Sequence, residues 1–297
     1  MSDAKTTWIA SGMRTPFTKM DGGLGKLGAI ELSIPVAQAM VSLADDGPDL
    51  MVWGAVAPNL TYSNLAREVA LDAGMDPHIP AYSTVMACST SMAGALQAAG
   101  MVGAGGRHLA LVGGVESMSR VQIGLNQQTS DWLRRVSQAR SAEDRIKRVG
   151  EIPLTSLGLY TPKVANRTTG KSMGEHCEEM AKEWGISRED QDQIALDSHM
   201  RSVAAWERGF YDSLVLAIEG VRRDAFPRPG TSLEKLAALK PAFDRTSGRG
   251  TLTAGNSSPL TDGAAAVWVA DHEGAERLPQ DTPRVKLVDY EIAAVDL

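Results

Sequence analysis

An α/β fold built on a largely parallel, helix-covered sheet is predicted by three features of this 297-residue chain. Short apolar runs are bounded by turn residues, a helix-length stretch of small residues lies between two of them, and the pattern returns after a long polar middle. Residues Thr7 to Ser11 and Asp49 to Val56 read as buried strands, and RHLALVGG over Arg107 to Gly114 as a third. Ser89 to Val102 reads as a helix, ended by the glycine-rich turn Gly103 to Gly106.

From about Met118 to Gly250 the sequence becomes polar, helical and loop-rich, as an insertion over one end of the sheet would be. Ser187 followed by Asp190 resembles a capping-box start. Behind it, Ile194, Ser198, Arg201 and Ala205 recur at the spacing of an amphipathic helix. At Thr251 the apolar pattern resumes, and TLTAGNSSPLTDGAAAVWVA predicts a turn, a small-residue helix and a strand. Arg284 to Tyr290 reads as the first strand of a further unit. The expected division is therefore 1–119 and 251–279 as one α/β domain, 120–250 as a loop/insertion domain, and 280–297 as the start of a truncated second domain. A strand orphaned there predicts a sticky, partner-dependent chain.

Composition narrows the function. Hydrophobic residues at 43% and charged residues at 22% describe an ordinary globular protein of about two domains. Two cysteines, Cys88 and Cys177, point away from a secreted disulfide framework, and the N-terminus has no signal-peptide pattern, so a cytoplasmic location is expected. The uncharged stretch Ile79 to Gly106 is long enough for a membrane span, but its polar residues, glycines and prolines predict a short buried helix between turns. The net charge is -6, yet Arg120 to Gly250 holds 21 Lys+Arg against 18 Asp+Glu, which makes this region the better face for an anionic ligand. Nucleic acid is not an expected partner.

Cys88 stands at the predicted strand-to-helix turn, where free N–H groups and the helix dipole favour an anion. A lone cysteine in an apolar stretch is more often an inert core residue; what surrounds this one decides otherwise. The segments ASGMRTPF (Ala10 to Phe17), TVMACSTSMAGALQAA (from Thr84), LALVGGVESMSR (from Leu109), KSMGEHCEEMAKEWGISREDQD (from Lys171), SLEKLAALKPAFDR (from Ser232) and GTLTAGNSSPLTDGAAA (from Gly250) occur in the order of the thiolase family. The chain resembles that family from Trp8 onward, and most of all the 3-oxoacyl-CoA thiolase (acetyl-CoA acyltransferase) β subunits of the trifunctional β-oxidation complex.

The resemblance implies a thiolase-like βαβαβαββ N-terminal half, a helical and loop insertion, and a C-terminal half largely missing. It implies acyl transfer between a 3-oxoacyl-CoA and coenzyme A, with Cys88 acylated, Ser258 touching the pantetheine arm and Arg228 near the nucleotide end. Without those motifs Ser258 reads as a turn residue and Arg228 as a solvated charge. Coenzyme A and acyl-CoA enter as substrates, and no permanently bound cofactor or metal is expected. The family's later Asn-Glu-Ala-Phe, Gly-His-Pro and Cys-Gly segments do not occur in this sequence. Because the resemblance gives the histidine and cysteine of those segments to acid-base steps, turnover by this chain is expected to be impaired. The alternative is a non-catalytic acyl-CoA-binding or assembly module. A decarboxylating or synthase relative fits less well around NSSPLTDGAAA.

Other residues carry less. His176 and Cys177 are adjacent on a predicted helix, so their side chains diverge by about 100°; His176 reads as solvated and Cys177 as packed. Gly113 and Gly114 lack the spacing of a dinucleotide loop. The family resemblance implies a homodimer or tetramer and a possible β-oxidation partner subunit. Residues 131–149 place Trp132, Val136, Ala139, Ile146 and Val149 near one helical face, with basic residues largely elsewhere. That pattern suits an anionic membrane or a partner, or an ordinary surface helix.

Overall fold

The computed structural model describes residues 6–155, 157–160, 162 and 165–294. Its elements follow as β1 (Trp8–Arg14), β2 (Thr18–Lys19), α1 (Ala29–Val41), β3 (Leu50–Gly54), α2 (Leu65–Asp72), β4 (Ala81–Thr84), α3 (Thr90–Gly103), β5 (Leu109–Ser117) and a 3-10 turn at Met118–Arg120. Then come β6 (Gly124–Leu125), α4 (Gln127–Ser137), α5 (Ala142–Gly150), β7 (Leu159–Tyr160), α6 (Met173–Glu183), α7 (Arg188–Glu207), α8 (Leu233–Ala237), β8 (Thr261–Ala270), α9 (His272–Glu276) and β9 (Arg284–Lys286).

The main sheet runs β4-β3-β5-β8-β1-β9, with β2 paired to β8. Strands β3, β4 and β5 are parallel, and β8 lies antiparallel between β5 and β1. Alternation along the strands builds two cores. Met51, Trp53, Leu109 and Leu111 face Leu32, Val36 and Met40 of α1 and Leu65, Ala66 and Val69 of α2. Leu50, Val52, Ala110 and Val112 point the other way, onto Ala95, Ala98, Ala99 and Val102 of α3. The predicted βαβαβαββ order is therefore present.

Two compact units emerge, residues 121–164 by themselves and all the rest together. The expected 120–250 insertion domain thus divides, because residues 165–250 are stitched to the sheet. Arg14 makes a two-pronged pair with Asp224 at 2.7 Å, and the backbone of Arg14 bonds Leu214 and Leu216. In the smaller unit, α4 and α5 form a hairpin in which Trp132 Nε1 donates to the Arg148 carbonyl at 2.8 Å.

Three sequence expectations change. The DGAAA stretch is strand, not helix: both its edges are taken, by β5 and β1, which overrides alanine's helix propensity. Its small residues serve close packing instead, since a Cβ on Gly263 would lie 2.3 Å from the Phe17 ring. Ile194 of α7 is exposed although the helix begins as predicted, with Ser187 accepting from Asp190 N–H; the buried stripe runs through Asp192, Ala205 and Trp206. The strand read over Arg284 to Tyr290 is confined to β9, which joins the existing sheet beside β1 rather than opening a new one. The last residues of the 280–297 segment, 295–297, lie outside the described residues.

Candidate active site

Strands β3 and β4 end side by side, Gly54 pairing with Thr84 on one side and on the other with Gly114 of β5, which continues to Ser117. Cys88 leaves from this edge between β4 and α3 and is an exposed free thiol. The turn that carries it is tight. Ser89 N–H donates to the Met86 carbonyl at 3.0 Å, and Thr90 N–H to the Ala87 carbonyl at 3.2 Å. Ala87 has φ +45°, a left-handed conformation that costs a residue with a β-carbon about 1 kcal/mol. Ser89 stands at the N-cap of α3 but makes no side-chain cap, so it does not occupy the N–H groups of the helix's first turn, beside Cys88.

Close packing sets where that turn sits. A Cβ on Gly114 would lie 2.1 Å from the Ser91 hydroxyl, and one on Gly113 2.3 Å from the buried Trp53 ring. The paired glycines of β5 therefore let α3 pack closely on the sheet and let the Trp53 ring of β3 lie across its neighbouring strand.

Ser258 is exposed in the loop that enters β8, where Asp262 pairs with Ser117 at the end of β5. It reaches the same sheet edge as Cys88. Arg228 follows Asp224 and Ala225, which hang on Arg14 and Phe17 at the end of β1, and Arg14 pairs with Ala265. Arg228 is exposed, and its charge together with the burial of His199 holds that imidazole below its ordinary range; burial is the larger cause. Cys88 and Ser258 thus lie at the same end of the sheet, whereas Arg228 stands four residues beyond the Asp224 anchor and interacts with His199.

The Ser258 loop is held from behind by two buried carboxyl groups that sequence reasoning did not single out. Glu178 of α6 accepts from Thr251 N–H at 2.7 Å, Thr251 Oγ1 at 2.9 Å and Leu252 N–H at 2.9 Å. Asp192 of α7 accepts from Asn256 Nδ2 at 3.0 Å and from Arg188 Nε at 2.7 Å. The signal available was their i,i+4 spacing to Lys182 and Arg188 within two predicted helices.

His176 is half-buried rather than solvated, with Nε2 2.8 Å from the Thr169 hydroxyl, and Cys177 is partly buried. His108 faces Asp271 at 3.0 Å, at the opposite end of β5 from the Cys88 edge. Among the described residues no group of three or more His, Cys, Asp and Glu side chains is placed to hold a metal ion. A surface cavity of about 480 Å³ lies along α7, lined by Ile194, Arg201, Ala205, Arg208, Phe210 and Tyr211. Neither Cys88, Ser258 nor Arg228 lines it.

Residues 7–273 match the family described as the N-terminal domain of thiolase. The chain belongs to the thiolase family. A 3-ketoacyl-CoA thiolase of Yersinia enterocolitica is 36% identical over 97% of this chain and 68% of its own length. One from Yersinia pestis is 35% identical with the same coverage. Among solved structures, human mitochondrial 3-ketoacyl-CoA thiolase in complex with CoA superposes with TM-score 0.74 at 26% identity, covering 92% of this chain and 66% of that one. Acat5 thiolase from Ascaris suum in complex with coenzyme A gives 0.76 at 26% identity, covering 93% and 69%. This thiolase chain therefore spans about two thirds of the length of these relatives.

Proposed function

We propose that this chain carries out the acyl-accepting step of 3-oxoacyl-CoA thiolase chemistry, with Cys88 as nucleophile. The observation that carries the reading is the exposed thiol on a strained turn against the start of α3. In the degradative direction the Cys88 sulfur gives up its proton and attacks the 3-keto carbon, the bond between C2 and C3 breaks, and the departing acetyl-CoA carbanion takes up a proton at C2 in exchange for the one the thiol lost. Free coenzyme A then takes the acyl group from Cys88, its thiol proton passing to the cysteine sulfur. Ser258 contacts the pantetheine arm and Arg228 the nucleotide end, a reading supported by the position of Ser258 at the Cys88 end of the sheet and by the exposed charge of Arg228.

The experiment is intact-protein mass spectrometry of the chain and its Cys88→Ser variant mixed with acetyl-CoA. A +42 Da acetyl adduct, expected at about that mass for the parent alone, supports the reading. Coenzyme A binding without an adduct would leave a binding module as the better description.

A role in fatty-acid β-oxidation, a cytoplasmic location and assembly into a homodimer or tetramer, with or without a β-oxidation partner subunit, belong to the same proposal. No helix among the described residues is long and apolar enough to cross a membrane. Peripheral contact through 131–149 is supported by exposed Leu133, Ile146 and Val149 beside Arg134, Arg135, Arg145 and Lys147. Retention on vesicles containing anionic lipid, abolished by Ile146→Asp, tests it.

A further inference from the structure

Resting on the reading of Cys88 as the acyl acceptor, we propose that Thr90 is a positioning residue whose hydroxyl sets the shape of the turn presenting the thiol. Thr90 Oγ1 accepts from Met86 N–H at 2.8 Å and donates to the Ala87 carbonyl at 2.7 Å. One hydroxyl therefore ties the two residues before Cys88 to a residue two after it. Between those ties Ala87 is held at φ +45°, a conformation that persists only where the surroundings over-determine it. Thr90 is itself fixed: it is buried, and its methyl occupies the space left by the missing side chain of Gly54.

Ser89 occupies the N-cap position of α3, where serine commonly bonds the first-turn N–H groups, but its side chain makes no such bond. Thr90 supplies the side-chain bonds of this turn in its place. Without that hydroxyl, Met86 N–H loses its acceptor, the Ala87 carbonyl keeps only the longer bond from Thr90 N–H, and Ala87 relaxes out of the left-handed region. The Cys88 sulfur then swings away from the start of α3.

The test uses the full chain with Thr90→Val, which keeps the branched shape but removes the hydroxyl, Thr90→Ala as a second hydroxyl-free variant, and Thr90→Ser, which keeps the hydroxyl. Labelling of Cys88 is followed by peptide-resolved mass spectrometry with two probes, beside a thermal melt of each variant. Iodoacetamide reports the thiol alone: sulfur displaces iodide and the thiol proton goes to solvent. Acetyl-CoA reports acyl transfer, the acetyl group moving to sulfur and the thiol proton to the released coenzyme A.

Both hydroxyl-free variants should label about tenfold slower than the parent, while Thr90→Ser stays within about twofold even if its melting temperature falls further. Parental labelling rates in folded Thr90→Val or Thr90→Ala, or a loss in Thr90→Ser equal to theirs, would overturn the role of Thr90. A parent that takes iodoacetamide but no acetyl group sinks the acyl-transfer reading instead, and its alkylation rates still decide what the Thr90 hydroxyl does.

Discussion

Thr90 packs against the bare α-carbon of Gly54: a Cβ placed there would lie 2.3 Å from Thr90 Cγ2 and 2.4 Å from the Thr84 carbonyl oxygen. Neither neighbour can yield cheaply, since one is backbone and the other is pinned by its own hydroxyl. Gly54→Ala should therefore destabilise the fold by about 2 kcal/mol, as overpacking of a filled site does. It should also slow alkylation of Cys88, because the start of α3 must lift from the sheet. Gly100 offers the contrast: it lies in α3 with open space around its α-carbon, and Gly100→Ala should stabilise by about 0.5 to 1 kcal/mol. Urea midpoints of the two variants check both signs.

Most of this architecture was legible in the chain because apolar runs and turn residues mark β1, β3, α3 and β5 directly. Cys88, Ser258 and Arg228 were singled out from their motifs, and the position of Cys88 between β4 and α3 follows from the strand and helix patterns on either side of it. What escaped was whatever depends on tertiary neighbours. The alanine run before Val267 looks helical until two strands claim its edges. Glu178 and Asp192 look like ordinary surface charges of helices until their backbone and side-chain partners come from residues 251–256, far along the chain. Gly113 and Gly114 read correctly as strand, but that they must be glycine emerges only when Trp53 and Ser91 fill the space above them.

Glu178 gives a prediction about the Ser258 loop. Glu178→Ala strands two buried backbone donors and a hydroxyl, and should cost about 3 kcal/mol. Glu178→Gln retains one carbonyl oxygen for Thr251 but turns an amide toward Leu252 N–H, and should cost about 1 kcal/mol. Chemical denaturation gives the ranking. Coenzyme A affinity, followed by calorimetry, should fall for both variants if the loop that Glu178 anchors carries a substrate contact.

His199 reports on Arg228. Burial first, and the Arg228 charge second, hold the imidazole below 6.5 in the folded chain. A folded value below the unfolded one means the unfolded chain binds more protons between the two. The stability contribution is therefore full above about pH 6.5 and is lost as the pH falls through that window toward the folded value. Arg228→Gln should raise the His199 value while leaving it below 6.5, because burial remains. Proton NMR titration of the imidazole measures this, and an unchanged titration would remove the electrostatic evidence for where Arg228 lies.

The β9 edge makes the last prediction. Arg284–Lys286 adds a short strand beside β1, and the residues around and after it expose Val285, Val288, Tyr290 and Ile292 together. Val288 is 84% exposed, so its removal disturbs no core. An apolar row next to a sheet edge is a template for association with another chain. Val288→Lys combined with Ile292→Lys should leave the melting temperature unchanged and reduce concentration-dependent self-association in sedimentation velocity. If association persists undiminished, the contact lies elsewhere, and strand β4, the opposite edge of the same sheet, becomes the surface to substitute next.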